Sequence, residues 1–168
     1  LRLASLKKLR HPMSVDVYVE RVIEHARLVI VRSLGGLDYW RYGFERLARA
    51  ASERGTLLVA LPGDDRPDAR LVALSTAPRD VVEAFDRYFR AGGPHNACNA
   101  LLYAAHLLGR DVAFDPPLDM EPALALDGEG LPVRLDTISA CPDRPSALVV
   151  FYRSSLLAGD FKPVTRLA

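Results

Sequence analysis

Leu28-Val-Ile-Val-Arg-Ser-Leu-Gly-Gly-Leu-Asp-Tyr-Trp40 passes from an unbroken apolar run into two glycines and then into helical periodicity. The segment Ala26–Arg32 is built around Leu-Val-Ile-Val, the pattern of a strand covered on both faces, as in a parallel sheet. Beyond the glycines, Trp40, Phe44, Leu47 and Ala51 recur at the spacing of one buried helical face, and Arg41, Glu45 and Arg49 fall opposite. Asp38 is placed to cap this helix and Gly55 to end it. Thr56–Leu61 (TLLVAL) is a second apolar strand, closed by the turn Pro62–Pro67.

Working outward from this core, a helix begins at Ser14 as N-cap. It turns Val15, Val19, Val22, Ile23 and Ala26 inward and Asp16, Glu20 and Glu24 outward. Leu1–Leu9 reads as a further strand, although Leu3, Leu6 and Leu9 also fit a helix. The order strand, helix, strand, helix, strand with short connections gives an α/β fold. Its centre is an open parallel sheet of the flavodoxin or Rossmann kind with flanking helices, over residues 1–78. Residues 79–110 form a helical hairpin packed on it. Val82, Phe85, Tyr88 and Phe89 point inward from the first helix, and Leu101, Leu102, Ala105 and Leu108 from the second. Residues 111–145 are a Pro-rich connector. Residues 146–168 open a second α/β domain with the strand Ala147–Tyr152. The absence of an initial Met and a stop within a helical pattern lead to the expectation of a fragment of a longer protein.

Apolar residues make up 49% of the 168 and charged residues 26%, with a net charge of +1. This is the composition of a globular domain and offers no electrostatic case for a nucleic-acid or membrane partner. No apolar run has the length of a membrane span. Two distant cysteines, Cys98 and Cys141, fit a reducing cytoplasm and carry neither metal-ligand nor nucleophile spacing.

Ligands of open parallel sheets bind along the carboxyl edge. With three strands, that edge gathers His11, Ser14, Gly35, Gly36, Tyr39, Trp40, Asp64 and Asp65; Arg153 and Ser155 end the later strand. A dinucleotide loop needs G-x-G-x-x-G and a phosphate loop needs Lys followed by Ser or Thr. Neither occurs, and Asp38 would put a negative charge where a phosphate must sit. Gly35-Gly36 is then either a tight turn using positive φ or a floor beside Tyr39 and Trp40 for a flat organic ligand. His11 with Asp64 and Asp65 could build a metal or acid/base site, against the plainer reading that the aspartates close a turn. No catalytic or metal-ligating set emerges from the residues themselves.

Several stretches, in order along the chain, resemble the N-terminal region of the CobN/magnesium chelatase large-subunit family. They are Arg10–Glu20 (RHPMSVDVYVE), Val29–Gly36, Tyr39–Gly43 (YWRYG), Leu61–Pro67 (LPGDDRP), Leu74–Thr76, Gly92–Asn96 (GGPHN) and Phe151–Asp160 (FYRSSLLAGD). The resemblance implies part of the tetrapyrrole-binding large subunit of a cobaltochelatase. Such an enzyme inserts Co2+ into hydrogenobyrinic acid a,c-diamide on the route to cobalamin. ATP would be hydrolysed by two smaller AAA+ partner subunits, and the isolated fragment would be an inactive scaffold or substrate-contact region. RHPMSVDVYVE and LPGDD favour the cobalt over the magnesium branch. The alternatives are a magnesium chelatase large-subunit fragment and a non-catalytic ligand-binding or interaction module. Ser155 stands where the family pattern implies His, and Asp160 where Asn is commoner.

Overall fold

A computed structural model describes residues 1–64 and 66–119, and beyond them 125–126, 132–134, 136, 149–151 and 166. The chain is α/β. Among the described residues a parallel sheet pairs β1 (Leu28–Ser33) with β2 (Leu57–Pro62), in register from Leu28 opposite Leu57 to Ser33 opposite Pro62.

The third strand expected at Leu1–Leu9 is not formed. That segment is irregular around a 3-10 turn at Leu6–Lys8, and Leu6 and Leu9 pack on the core three residues apart. Leucines at every third position match the 3.0-residue turn, and the period-2 alternation of a strand is missing.

Helix α1 spans Pro12–Arg21. Its N-cap is His11 rather than Ser14: the His11 ring Nδ1 accepts from the Met13 N–H at 3.3 Å, and Pro12 takes the first helical position. The glycine pair leads into a four-residue helix α2 (Gly36–Tyr39), which breaks at Trp40 before α3 (Arg41–Arg54). The single helix capped by Asp38 is therefore two. Gly55 ends α3 in the left-handed region at φ 69°, as its position requires. Asp16 of α1 pairs with Arg46 of α3 at 2.8 Å, and Glu24 pairs with Arg54 at 2.6 Å. These partly exposed pairs tie α1 and the 3-10 turn after it (Ile23–His25) to α3 and contribute little stability.

The sheet is covered on both faces because its side chains alternate. Val31, Leu58 and Ala60 meet Val15, Val19, Phe44 and Leu47 on one side, and Val59 and Leu61 meet Val82, Phe85 and Tyr88 on the other. The free edge of β2 is closed by side-chain hydroxyls. Thr76 Oγ1 accepts from the Leu58 N–H at 2.8 Å and Ser75 Oγ from the Ala60 N–H at 2.9 Å. The Leu74-Ser-Thr76 motif thus stands in for a neighbouring strand. It follows α4 (Ala69–Val72).

Helices α5 (Arg79–Ala91) and α6 (Gly93–Leu107) form the expected hairpin, joined at Gly92. The inward face of α6 differs from the expected one. Ala100, Tyr103, Ala104 and Leu107 pack on the core, and Leu101 is 49% exposed. The true stripe begins with two buried asparagines, Asn96 and Asn99, which a search for apolar residues alone passes over.

Those asparagines hold the start of the expected connector. Asn96 Oδ1 accepts from the Leu118 N–H and its Nδ2 donates to Leu118 O, both at 2.8 Å; Asn99 Oδ1 accepts from the Asp115 N–H at 2.8 Å. Asn96→Ala would leave three backbone partners, including Gly92 O, to find water. We expect a loss of about 2 kcal/mol, with faster amide exchange at Leu118 and unchanged exchange in β2. Further along, the connector carries a short antiparallel pair, β3 (Ala125–Leu126) with β4 (Pro132–Val133). The expected strand Ala147–Tyr152 lies mostly outside the described residues, and its described positions 149–151 carry no regular element.

Candidate functional site

The carboxyl ends of β1 and β2 lie side by side, since the Gly63 N–H donates to Ser33 O at 2.8 Å. Here the role of the glycine pair is decided. Gly35 and Gly36 have φ of 89° and 65°, so both use the left-handed freedom of glycine. A Cβ on Gly36 would stand 2.5 Å from Asp68 Oδ2. That same oxygen accepts from the Leu37 N–H at 3.0 Å. The place where a phosphate would meet this helix start is occupied by the chain's own carboxylate.

Asp68 also caps α4, accepting from the Arg70 and Leu71 N–H groups. The Leu37 N–H, followed by the Leu71 N–H and Arg70, holds its carboxyl below the usual range. Asp38 does not cap a helix. It lies exposed between Arg70, at 2.8 Å, and Arg41; these two guanidiniums, Arg70 first, lower its pKa as well. Asp16 is lowered by its bonds to Arg46 and then Tyr42.

Carboxyls with depressed folded-state pKa bind fewer protons folded than unfolded. The stability they contribute is present above the ordinary carboxylate value of about 3.9 and is lost as pH falls through their folded values. Urea midpoints are expected to drop on acidification below about pH 4, with a shallower dependence in Asp68→Asn. An equal slope in that variant would show that Asp68 is not among the groups responsible.

The other sequence-predicted residues separate into groups. His11 and Ser14 are exposed at the start of α1, not at a strand end, because the first strand is missing. Asp64 closes a turn by accepting from the Arg66 N–H at 3.1 Å. Asp65, Arg153 and Ser155 lie outside the described residues, as does Cys141; Cys98 is exposed and free.

Tyr39 and Trp40 do come together, in a cavity of about 260 Å³ lined also by Arg10, Val15, Arg41 and Tyr42. Trp40 is its fixed wall. It is 7% exposed, its Nε1–H donates to Leu9 O at 2.6 Å, and its ring meets Phe44 edge-on at 5.4 Å. Tyr39 and Tyr42 are 48% and 41% exposed. The Tyr42 hydroxyl donates to Asp16 at 2.8 Å, and this bond raises its pKa.

Sequence reasoning passed over Arg10, Arg41 and Asp68. For Asp68 a signal exists: an Asp directly before Ala-Arg-Leu-Val is an N-cap pattern. Among the described residues no group of three or more His, Cys, Asp and Glu side chains is arranged to hold a metal ion, and no helix is long and apolar enough to cross a membrane. The arrangement can bind and orient; the described residues converge on no nucleophile or base.

No protein-family model matches the chain. Two curated proteins do, both named aerobic cobaltochelatase subunit CobN. The one from Pseudomonas aeruginosa is 39% identical over 169 residues, and the one from Sinorhizobium sp is 38% identical over 180 residues; each alignment covers 99% of this chain. The chain spans 14% of the length of either relative. Among solved structures, the catalytic subunit of cobaltochelatase from Mycobacterium tuberculosis shares the fold. Its TM-score is 0.59 at 21% identity, over 97% of this chain and 14% of that one.

Proposed function

We propose, on the premise that this chain belongs to the CobN family over the segment it matches, that it is a scaffolding and substrate-contact portion of an aerobic cobaltochelatase large subunit. The reaction of the whole enzyme is the insertion of Co2+ into hydrogenobyrinic acid a,c-diamide in cobalamin biosynthesis. It is driven by ATP that two smaller AAA+ subunits hydrolyse, in the cytoplasm. The observation that carries this reading is identity of 38–39% across 99% of the chain.

The roles of the motifs that carry the resemblance support a scaffold. Arg10–Glu20 starts and builds α1, Gly35-Gly36 accommodates Asp68, and Leu74–Thr76 closes the edge of β2. Gly92–Asn96 joins the hairpin and holds the following segment. Insertion must strip water from the cobalt and deprotonate ring nitrogens inside a closing site. Rigid flanking layers of this kind keep such a site in register.

The test is a segment exchange in the Pseudomonas aeruginosa relative, replacing the matched region with this chain. ATP-dependent cobalt insertion by the purified hybrid with its partner subunits is the expected result. A hybrid that is soluble and assembles normally yet inserts no cobalt would overturn the proposal.

A further inference from the structure

The cavity beside Trp40 has a chemistry that scaffolding does not require. Its lining residues include two arginines, Arg10 and Arg41, and three aromatic residues, Tyr39, Trp40 and Tyr42, and no acidic residue. The nearby acids are already engaged: Asp38 is shared by Arg41 and Arg70, and Asp16 by Arg46 and Tyr42. Arg10 is exposed and forms no ion pair among the described residues. Its backbone follows Leu9, whose carbonyl accepts from the Trp40 indole at 2.6 Å. Tyr39, half-exposed, lines the same depression.

We propose that this groove binds a carboxylate carried on a flat apolar body, with Arg10 as the anchor and Tyr39 as the stacking face. A guanidinium suits a carboxylate because its planar fork can donate two parallel hydrogen bonds. At about 260 Å³ the groove is smaller than the roughly 300–1,000 Å³ of pockets that enclose a whole ligand. It therefore takes an edge, one ring and its acid arm, and leaves the rest of a larger ligand outside. The choice of a tetrapyrrole as that ligand rests on the function proposed above; the anion chemistry rests on the groove alone.

Trp40 is the single tryptophan of the chain, so its emission reports on this site. The full chain is titrated with mellitate, a benzene ring bearing only carboxylates, and with uroporphyrin, a carboxylate-rich tetrapyrrole. Saturable changes that weaken with added salt are expected for both. Arg10→Gln, which removes an exposed side chain without an ion-pair partner, should raise the Kd on the order of tenfold, with Arg10→Lys restoring it in part. Saturation with neither probe, or an unchanged Kd in Arg10→Gln, overturns the proposal. Arg10-dependent binding of mellitate without binding of uroporphyrin upholds the groove and counts against tetrapyrrole contact by this segment. The segment exchange tests the cobaltochelatase reading separately from both.

Discussion

Replacing Trp40 by alanine is expected to destabilise the fold by about 4 kcal/mol, in the range for deleting a buried aromatic ring. In a chain of this size that is a fall in Tm on the order of 10 °C. The indole is 7% exposed and meets Phe44 edge-on at 5.4 Å and 73°. Its body lies where a Cβ on Gly43 would be, only 2.1 Å from Cε2. Its N–H is the tie between the break at Trp40 and Leu9. Alanine removes the packing and leaves Leu9 O without that donor; Trp40→Phe should cost less, keeping a ring and losing the hydrogen bond. An unchanged Tm in the alanine variant would mean that the indole is not part of the core.

Gly63→Ala is expected to cost about 3 kcal/mol, the upper end for forcing one methyl group into a packed site. The added Cβ would lie 2.6 Å from Leu34 N and 2.8 Å from Ser33 C. These are backbone atoms, and they are held in place, since the Gly63 N–H donates to Ser33 O at 2.8 Å. Relief requires the carboxyl ends of β1 and β2 to part, which would also loosen the approach of Asp68 to Leu37. Gly55→Ala is the contrasting case. Nothing lies within 4 Å of its Cβ, and only its φ of +69° opposes the change, at about 1 kcal/mol. Urea unfolding checks both: a midpoint reduced more in Gly63→Ala than in Gly55→Ala, with an unchanged slope, is the expected result. Equal midpoints would show that the strand ends have room.

The elements legible in the residues are those whose causes are local. Leu-Val-Ile-Val and Leu-Leu-Val-Ala-Leu form strands because unbroken β-branched and aliphatic runs suit burial on both faces. Trp40, Phe44, Leu47 and Ala51 are buried because their spacing places them on one side of α3. Gly55 stops that helix because glycine accepts a left-handed φ at little cost. That Gly35-Gly36 makes a turn using positive φ was legible too, since glycine reaches that region without a Cβ clash.

The rest depended on which polar groups meet once the chain has closed. Asp68 reaches the Leu37 N–H from 31 positions away, and nothing in either segment alone specifies that bond. Ser75 and Thr76 take the unpaired edge of β2 because a strand edge left open needs donors and acceptors. The inward face of α6 is led by Asn96 and Asn99, whose burial is tolerable only because the backbone at Asp115 and Leu118 satisfies them. Hydrophobic periodicity is written into neighbouring residues and survives reading one segment at a time. The pairing of buried polar groups is a property of the assembled chain, and here it sets the loop, the sheet edge and the groove beside Trp40.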